Sequence, residues 1–210
     1  HFLYNALNTI SSIAQLQDVD YIPEIASGLS DMFRYNIDGR EIVSIREELT
    51  QTENYMCIQK IRFPERFSVE ISVAEELLDC KILKFILQPI VENSYKYGFT
   101  GKKKQDILRI QGCREADKTI VLMVEDNGVG MEEEKVQAMN EALAGEVGFE
   151  AAAGIGLRNV NARIKNYYGD SCGIWLESCP GKYTRVYLRV KEIEVSQEKR
   201  GERDAGNCCR

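Results

Sequence analysis

Four short segments of the 210-residue chain contain the residue types that bind nucleotides and accept phosphoryl groups. Residues 1–5 begin with a histidine. Later in the chain comes a segment with amide side chains at both ends, Gln88-Pro89-Ile90-Val91-Glu92-Asn93. An Asp-Asn-Gly turn lies within residues 125–131, and a Gly-x-Gly pair lies within residues 154–157. Each glycine pattern alone is a common turn signal. Their combination in this order predicts a nucleotide site that faces a phosphoryl acceptor.

Asp126 is the candidate ligand for the nucleotide base. It follows an apolar strand, and Asn127-Gly128 turns the chain sharply after it, so its carboxylate is expected to face a cleft. A carboxylate only accepts hydrogen bonds, which suits the exocyclic amine of adenine. Gly128 and Gly130 have no side chains and would let a flat ligand approach the backbone. The alternative is an ordinary Asp-Asn-Gly turn.

The Gly154-x-Gly156 pair and Leu157 open a predicted helix. The free N–H groups and the positive dipole end of a helix N-terminus can hold phosphates, although a plain helix cap is the alternative. The segment is not a Rossmann fingerprint, because Asn159 stands where the third glycine is required. The chain also lacks a P-loop sequence.

Asn93 and Lys96 lie three residues apart and therefore share one face of a predicted helix. An amide oxygen can ligate Mg²⁺, and a lysine can pair with phosphate. Asn93 is therefore the candidate metal ligand. Glu92 is adjacent and could orient a water or the metal. The alternative is the polar outer face of an amphipathic helix.

His1 is the only histidine in the chain and the candidate phosphoryl acceptor. When residues 2–14 are projected on a helix, the apolar side chains form one stripe, and His1 and Asn5 fall on the opposite, polar side. A neutral imidazole nitrogen is a nucleophile, and Asn5 can hydrogen-bond a phosphate or a water. A solvated histidine at a helix start is the alternative.

Composition argues against several other classes of function. The chain is 44% hydrophobic, has a formal net charge of −6 and contains seven cysteines. It has no basic stripe interleaved with aromatic residues, so no nucleic-acid partner is expected. The scattered cysteines include no Cys-x-x-Cys pair, which favours reduced thiols over a zinc site. No apolar run approaches the roughly 20 residues that span a bilayer, and a soluble fragment is expected.

The elements that must position these residues begin with helices. Residues 2–14 and 21–37 each carry one apolar stripe, which predicts an antiparallel helical hairpin. A lone hairpin leaves apolar surface exposed, so pairing with a second copy in a four-helix bundle is expected. A capping box formed by Ser44 and Glu47 opens a third helix, which ends near Pro64.

After Pro64 the hydrophobic period changes from that of helices to that of strands. Residues 67–73 alternate strictly and predict a strand, and residues 82–97 predict a helix that Pro89 kinks or restarts. Further strands are predicted over residues 107–112, 119–124, 173–178 and 184–190, and a further helix over residues 156–168. Together they predict an α/β layer of mixed strands and helices.

Residues 131–153 are rich in Glu, Ala and Gly and show no firm apolar stripe. They predict a mobile lid that closes over the phosphates when a nucleotide binds. Residues 192–210 form a polar tail that is predicted to be disordered.

These segments resemble the sequence boxes of a known family. Residues 88–93 are similar to the N box, residues 126–131 to the G1 box and residues 154–157 to the G2 box of GHKL-type ATP-binding domains. Residues 1–8 resemble the H box of LytS/YesM-type sensor histidine kinases, and residues 54–63 also resemble that family.

The resemblance covers about residues 1–190 and implies an α+β chain of two domains. Residues 1–63 would form a helical hairpin for dimerisation and phosphoacceptance, and residues 64–191 a Bergerat-type (GHKL) α/β sandwich with a mixed sheet. ATP and Mg²⁺ are the implied cofactors. A homodimer and a response-regulator receiver domain, whose aspartate receives the phosphoryl group through His1, are the implied partners. Thr184 resembles the threonine of the family's last strand near the nucleotide.

The resemblance also implies an upstream membrane sensor that this chain lacks. The chain is then expected to be the cytoplasmic portion of a membrane-anchored protein, with membrane contact only through that upstream segment.

Two departures from the family pattern leave part of the chemistry open. GHKL ATPases carry a Glu four residues before the metal-binding Asn, and Pro89 at that position argues against a simple hydrolase. Many histidine kinases have an acid directly after the histidine, whereas this chain has Phe2. The base that takes the imidazole proton is therefore open between Glu92 and a water ordered by Asn5.

The expected function is that of an ATP-dependent protein-histidine kinase of a two-component system, which autophosphorylates His1. The alternative is a catalytically silent nucleotide-binding dimerisation module. An intact histidine and intact glycine boxes favour the kinase, while Pro89 and Phe2 leave room for the module.

Overall fold

The computed structural model describes residue 10 and residues 21–62, 67–99, 105–115, 118–145 and 154–194. The helices are α1 (Tyr21–Ile37), α2 (Ile45–Arg62), α3 (Glu75–Leu78), α4 (Gln88–Asn93), α5 (Glu133–Ala144) and α6 (Ile155–Tyr168). A π-helical turn, Ser94–Gly98, directly continues α4. The strands are β1 (Ile42–Ser44), β2 (Phe67–Val73), β3 (Lys81–Leu83), β4 (Asp106–Arg114), β5 (Thr119–Asp126), β6 (Gly173–Cys179) and β7 (Tyr183–Lys191).

Five strands form one mixed sheet in the order β2-β4-β5-β7-β6. β2 runs parallel to β4, and the other neighbouring strands are antiparallel. The short strands β1 and β3 form a separate antiparallel pair. The predicted fold class, α+β with a mixed sheet, is confirmed.

The hydrophobic core lies on one side of the sheet. Ile120, Leu122 and Val124 alternate along β5 and are each at most 1% exposed, because successive strand residues point to opposite faces and helices cover this one. Helices α2, α4 and α6 contribute buried side chains to the same core. The sheet and these helices therefore form two layers that share one interior.

The opposite face of the sheet is polar. Arg109 and Arg185 both donate hydrogen bonds to Glu125. Burial alone would raise the pKa of Glu125, but these two guanidinium groups hold it below its ordinary value. On the same face Trp175 stacks on Tyr187, with ring centres 4.9 Å apart. Charged and aromatic side chains thus cover this face of the strands.

Most of the predicted elements are confirmed. α1 and β2 have the predicted bounds, and the later strands and α6 begin and end within two residues of prediction. The capping box of α2 is also present, since Glu47 N–H donates to Ser44 Oγ at 3.2 Å and Ser44 N–H donates to Glu47 Oε2 at 2.7 Å.

The prediction of a helix over residues 82–97 is wrong for the first half of that range. Residues Lys81–Leu83 form β3, and α4 begins only at Gln88. Ile82, Ile86 and Leu87 are fully buried, and periodicity cannot distinguish a strand from a helix when a run is buried on all sides. Pro89 lies in the first turn of α4, so it stands at the beginning of a helix, where its missing N–H has no helical partner, and does not kink a longer one.

The prediction that residues 131–153 lack an apolar stripe is wrong for the first part of this range. Residues Glu133–Ala144 form α5, and Met139 and Leu143, one turn apart, are buried. Asn140 fastens α5 to the sheet, because its amide donates to Leu176 O at 2.9 Å and accepts from Leu176 N at 2.8 Å. A stripe this narrow is easily missed in an acidic segment. Residues 146–153 lie outside the described residues, and closure over a ligand stays a prediction.

The N-terminal hairpin also stays a prediction. Of its first helix only Ile10 is described, and it is helical. The domain boundaries and the disorder of the C-terminal tail likewise remain untested, since most of the tail lies outside the described residues. None of the helices in the described ranges combines the length and the apolar character needed to cross a bilayer.

Glu47 is an ionised group that stabilises the start of α2. Besides the capping bonds to Ser44, it accepts a hydrogen bond from Arg40 Nη1 at 2.7 Å. Burial alone would raise the pKa of Glu47, but the bonds from Ser44 and Arg40 lower it to about 2. Because this folded-state pKa lies below the ordinary value, the ionised side chain stabilises the fold at neutral pH, and the stabilisation is lost as the pH falls toward 2.

We expect Glu47→Gln to lower the free energy of unfolding by about 1 kcal/mol at neutral pH, since hydrogen bonds to a charged group are stronger than neutral ones. The substitution keeps the shape of the capping box, so the difference should shrink as the pH falls from about 5 to about 3. Urea unfolding at several pH values measures this. Glu53→Gln, at an exposed position of the same helix, is the control. A difference in the free energy of unfolding between Glu47→Gln and the wild type that stays the same across this pH range would contradict the account.

Candidate functional site

A cleft of about 250 Å³ opens between the sheet and the helices α4, α5 and α6. Part of its wall is apolar and includes Ile90, Met139 and Leu176. The residues predicted from the sequence that line the cleft are Asn93, Asp126, Gly130, Gly154, Leu157 and Thr184. An apolar cleft with a few polar groups is typical of a small-molecule site.

Asp126 lies at the end of β5 and lines this cleft. Its cross-strand neighbours are Leu108 on β4 and Thr184 on β7, so two flanking strands fix its position. The residue is only 4% exposed, and its carboxylate accepts a hydrogen bond from Gly128 N–H at 3.0 Å. A carboxylate held in this way offers an acceptor to a donor group of a ligand.

The turn after β5 packs against the end of the π turn because Gly98 and Gly128 have no side chains. A Cβ at Gly98 would lie 2.7 Å from Asp126 Oδ1, and a Cβ at Gly128 would lie 2.3 Å from Gly98 O. Val129 N–H donates to the same carbonyl oxygen at 3.0 Å. Gly128 thus makes room for the protein's own backbone, whereas the sequence pattern predicted room for a ligand. Sequence reasoning missed Gly98, although a glycine after a helical run is a signal for a helix end.

Gly130 is required by its backbone conformation and by a second close contact. Its φ is +65°, and a Cβ there would lie 2.1 Å from Cys179 O, at the end of β6. The next residue is anchored too, since Met131 N–H donates to Ser178 Oγ at 2.9 Å, and Ser178 Oγ lies 3.2 Å from Thr184 Oγ1. Ser178, which no sequence pattern indicated, therefore ties the loop after β5 to the strand of Thr184.

The start of α6 lies beside Asn93. A Cβ at Gly156 would lie 3.9 Å from Asn93 Nδ2, while a Cβ at Gly154 would meet no atom of the described residues within 4 Å. Gly154 is exposed, and Leu157 is buried in the core. The first N–H groups of a helix have no intrahelical partners. α6 therefore presents open space and the positive end of its dipole close to the cleft.

Glu92 and Lys96 do not line the cleft. Glu92 is exposed and accepts a hydrogen bond from Gln88 Nε2 at 2.8 Å. Lys96 is also exposed, with Nζ 4.9 Å from the centre of the Tyr97 ring, and hydrogen bonding to Tyr97 raises the pKa of Lys96. Among the described residues of the cleft wall the basic side chain is Lys135 of α5. Sequence reasoning missed it because its segment was taken for an irregular lid.

His1 and Asn5 lie outside the described residues. Within the described ranges, no group of three or more His, Cys, Asp or Glu side chains could hold a metal ion. Asn93, the predicted metal ligand, lines the cleft. Mg²⁺ usually keeps several waters and binds through one or two protein ligands together with substrate phosphates, so a single amide oxygen beside the start of α6 fits such an ion.

Comparison with known families places both parts of the chain. A family model described as histidine kinase matches residues 1–67, and one described as histidine kinase-, DNA gyrase B-, and HSP90-like ATPase matches residues 79–194, more than half of the chain. The chain belongs to this ATPase family. The two matches stand in the order expected from the sequence boxes, so the resemblance to LytS/YesM-type sensor histidine kinases is confirmed.

Curated relatives include the sensor histidine kinase/phosphatase LytS of Staphylococcus aureus strains Mu50 and N315. The chain is 30% identical to each over 180 residues, which is 85% of this chain and 30% of the relative. The chain therefore spans less than a third of the length of these relatives.

Solved structures show the same fold. The histidine kinase domain of the Erythrobacter litoralis EL346 blue-light activated histidine kinase has a TM-score of 0.52 at 13% identity and covers 90% of this chain and 83% of that chain. The catalytic domain of histidine kinase ThkA has a TM-score of 0.51 at 14% identity, with coverages of 72% and 95%. Acinetobacter baumannii AdeS has a TM-score of 0.51 at 13% identity, with coverages of 85% and 82%. The predicted GHKL-type sandwich is thereby confirmed.

The contact between Gly98 and Asp126 leads to a stability prediction. We expect Gly98→Ala to lower the free energy of unfolding by about 1–3 kcal/mol, because the added Cβ would overlap a buried, hydrogen-bonded carboxylate. Denaturant unfolding measures this. Gly28→Ala is the matched control, since a Cβ within α1 would make only ordinary contacts at 3.8 Å with Ile58, and alanine favours a helix. Equal stability of Gly98→Ala and the wild type would show that the contact does not constrain the loop.

Proposed function

We propose that the chain is the kinase core of a sensor histidine kinase. It binds Mg²⁺-ATP in the cleft, autophosphorylates His1 and passes the phosphoryl group to an aspartate of a response-regulator receiver domain. The observation that supports this most strongly is the buried carboxylate of Asp126 in a partly apolar cleft that also contains Asn93 and Gly154. Such a cleft offers one place for the nucleotide base and another for the phosphates.

Adenine would bind at Asp126. Its exocyclic amine would donate to the carboxylate, and its faces would contact the apolar wall around Met139 and Leu176. Thr184 is the cross-strand neighbour of Asp126 and lines the same cleft. A buried charged acceptor discriminates well between bases, because a base without the matching donor would leave it unpaired.

The phosphates would bind at the start of α6. The N–H groups that follow Gly154 and Gly156 would donate to phosphate oxygens, and Asn93 would supply its amide oxygen to Mg²⁺. Once bound, Mg²⁺ neutralises negative charge on the phosphates. Lys96 and Lys135 are the candidate cations for the same oxygens, and Lys135 already lines the cleft.

The transfer step needs a nucleophile, a leaving group and a base. A neutral imidazole nitrogen of His1 forms a bond to the γ-phosphorus, and the bond from that phosphorus to the β,γ-bridging oxygen breaks. ADP leaves with the electron pair, and the imidazole proton passes to a base. Glu92 and a water held by Asn5 are the candidate bases.

Transfer to a histidine fits this chain better than hydrolysis of ATP. The position four residues before Asn93 is Pro89, which lies in the first turn of α4 and has no carboxylate to activate a water. The lack of a carboxylate at this position favours an acceptor supplied by the protein over water.

A homodimer and a membrane-anchored parent protein complete the proposal. Phe33 and Ile37 of α1 are 39% and 77% exposed, and apolar side chains on the surface of a helix favour pairing with another helix. The much greater length of the LytS relatives supports a parent protein with an upstream sensor segment.

The role of Asp126 leads to a binding prediction. We expect Asp126→Asn to weaken binding of a nonhydrolysable ATP analogue roughly tenfold to a hundredfold, because a hydrogen bond to a charged group contributes about 1.5–3 kcal/mol. Isothermal titration calorimetry measures the affinity. Asp170→Asn, at an exposed position after α6, should leave it unchanged. An unaltered affinity in Asp126→Asn would remove Asp126 from the site.

The role of His1 leads to a labelling prediction. With Mg²⁺ and γ-labelled ATP, a version of the chain extended by one helical turn before His1 should gain acid-labile phosphate, and the turn protects His1 from fraying. His1→Gln in the same version should gain none, yet it should bind the ATP analogue with unchanged affinity. Absence of acid-labile phosphate in the extended wild type, or equal labelling of His1→Gln, would contradict the kinase assignment and favour the nucleotide-gated dimerisation module.

A further inference from the structure

Glu48 of α2 is a buried carboxylate that bonds to the backbone in front of α4. It is 2% exposed, and Phe85 N–H donates to its Oε1 at 2.6 Å. The N–H groups of Ile86 and Leu87 donate to its Oε2 at 3.0 and 3.1 Å. Phe85 has a φ of 61°, which places the chain in the left-handed region just before the helix that contains Asn93. The direction of that helix thus depends on Glu48.

The same carboxylate also binds α1. Tyr35, two residues before the end of α1, donates its hydroxyl to Glu48 Oε1, beside the bond from Phe85. Burial, and then the charge of Glu48, raise the pKa of Tyr35, so the hydroxyl stays protonated and keeps donating. Glu48 therefore joins the C-terminal end of α1 to the turn before α4.

Lys84 makes a second link between these two elements. It is 2% exposed, its Nζ donates to Tyr35 O, and it lies 3.6 Å from Asp38 Oδ1, just after α1. The Nζ also lies over the rings of Tyr35 and Phe85, at 4.2 and 5.0 Å from their centres. The Tyr35 and Phe85 rings pack edge to face at 5.3 Å. Polar, cationic and aromatic contacts thus all connect one turn of α1 to one turn before α4.

We propose that Glu48 is a positioning residue that couples α1 to the nucleotide site through the Tyr35 hydroxyl and the N–H groups of residues 85–87. A shift at the end of α1 would change the bonding of Glu48, turn the start of α4 and move Asn93. This inference rests on the proposed function, since it assigns a regulatory input to the same site. The coupling is reciprocal, because two events that share an equilibrium affect each other equally.

Hydrogen exchange of the 210-residue chain tests the coupling, with and without Mg²⁺ and a nonhydrolysable ATP analogue. In the wild type the nucleotide should slow exchange in residues 85–93 and, through Glu48, in residues 30–37 of α1. In Tyr35→Phe the nucleotide should still slow exchange in residues 85–93, but its effect on residues 30–37 should be clearly smaller than in the wild type rather than absent, because the contacts of Lys84 still join the two segments. Calorimetry of Tyr35→Phe should show a nucleotide affinity roughly fivefold or more below that of the wild type.

Tyr187→Phe is the matched control. It removes the same chemical contact, a tyrosine hydroxyl that donates to the carboxylate of Glu177 at 2.8 Å, on the polar face of the sheet. Its nucleotide affinity should stay within twofold of the wild type, and its nucleotide-dependent exchange should match the wild type in both segments. A purely structural role of Tyr35 would change exchange equally with and without nucleotide.

The outcomes separate the inference from the proposed function. If the wild type shows no saturable nucleotide binding, the proposed function fails and the inference fails with it. If the nucleotide binds but exchange in residues 30–37 does not respond, or responds equally in Tyr35→Phe, the inference alone is overturned. A weaker response at α1 in Tyr35→Phe than in the wild type, with the full response retained in Tyr187→Phe, supports it.

Discussion

Three consecutive backbone N–H groups, those of Phe85, Ile86 and Leu87, point at the carboxylate of Glu48 instead of entering a helix or a sheet. Each would destabilise the fold by about 1–3 kcal/mol if it were buried without a partner, so the turn before α4 depends on α2 for its conformation. Everything that α4 positions, Asn93 first, depends on this contact as well. Through Glu48, the helices α1 and α2 are therefore connected to the start of α4.

A second constraint gives the cleft its shape. The loop after β5 can lie against the π turn and against the β6–β7 connection only because Gly98, Gly128 and Gly130 have no side chains. The polar bonds of Ser178 then hold the same loop against the strand of Thr184. Asp126 is thus held within a rigid frame, and a preorganised acceptor binds a ligand without a further ordering cost. Membership of the ATPase family makes ATP the ligand proposed for this site.

Sequence reasoning succeeded where one face of an element is buried and the other is exposed. The strict alternation of β2 brings Val69 and Val73 against the core, and the single stripe of α6 brings Leu157, Val160 and Ile164 into it. It failed at β3, where burial on all sides removes the periodic signal, and at α5, whose stripe contains little more than Met139 and Leu143. The roles of Glu48 and Ser178 could not be predicted, because they arise from contacts between residues far apart in sequence.

The central claim is that ATP binds with its base at Asp126 and its phosphates at the start of α6, with the metal ion at Asn93. The most direct test is a crystal structure of the chain with Mg²⁺ and a nonhydrolysable ATP analogue. The account predicts the adenine amine within about 3.2 Å of the Asp126 carboxylate and Mg²⁺ within about 2.1 Å of the Asn93 amide oxygen. An analogue bound outside this cleft, or bound in it with the adenine turned away from Asp126, would contradict the account.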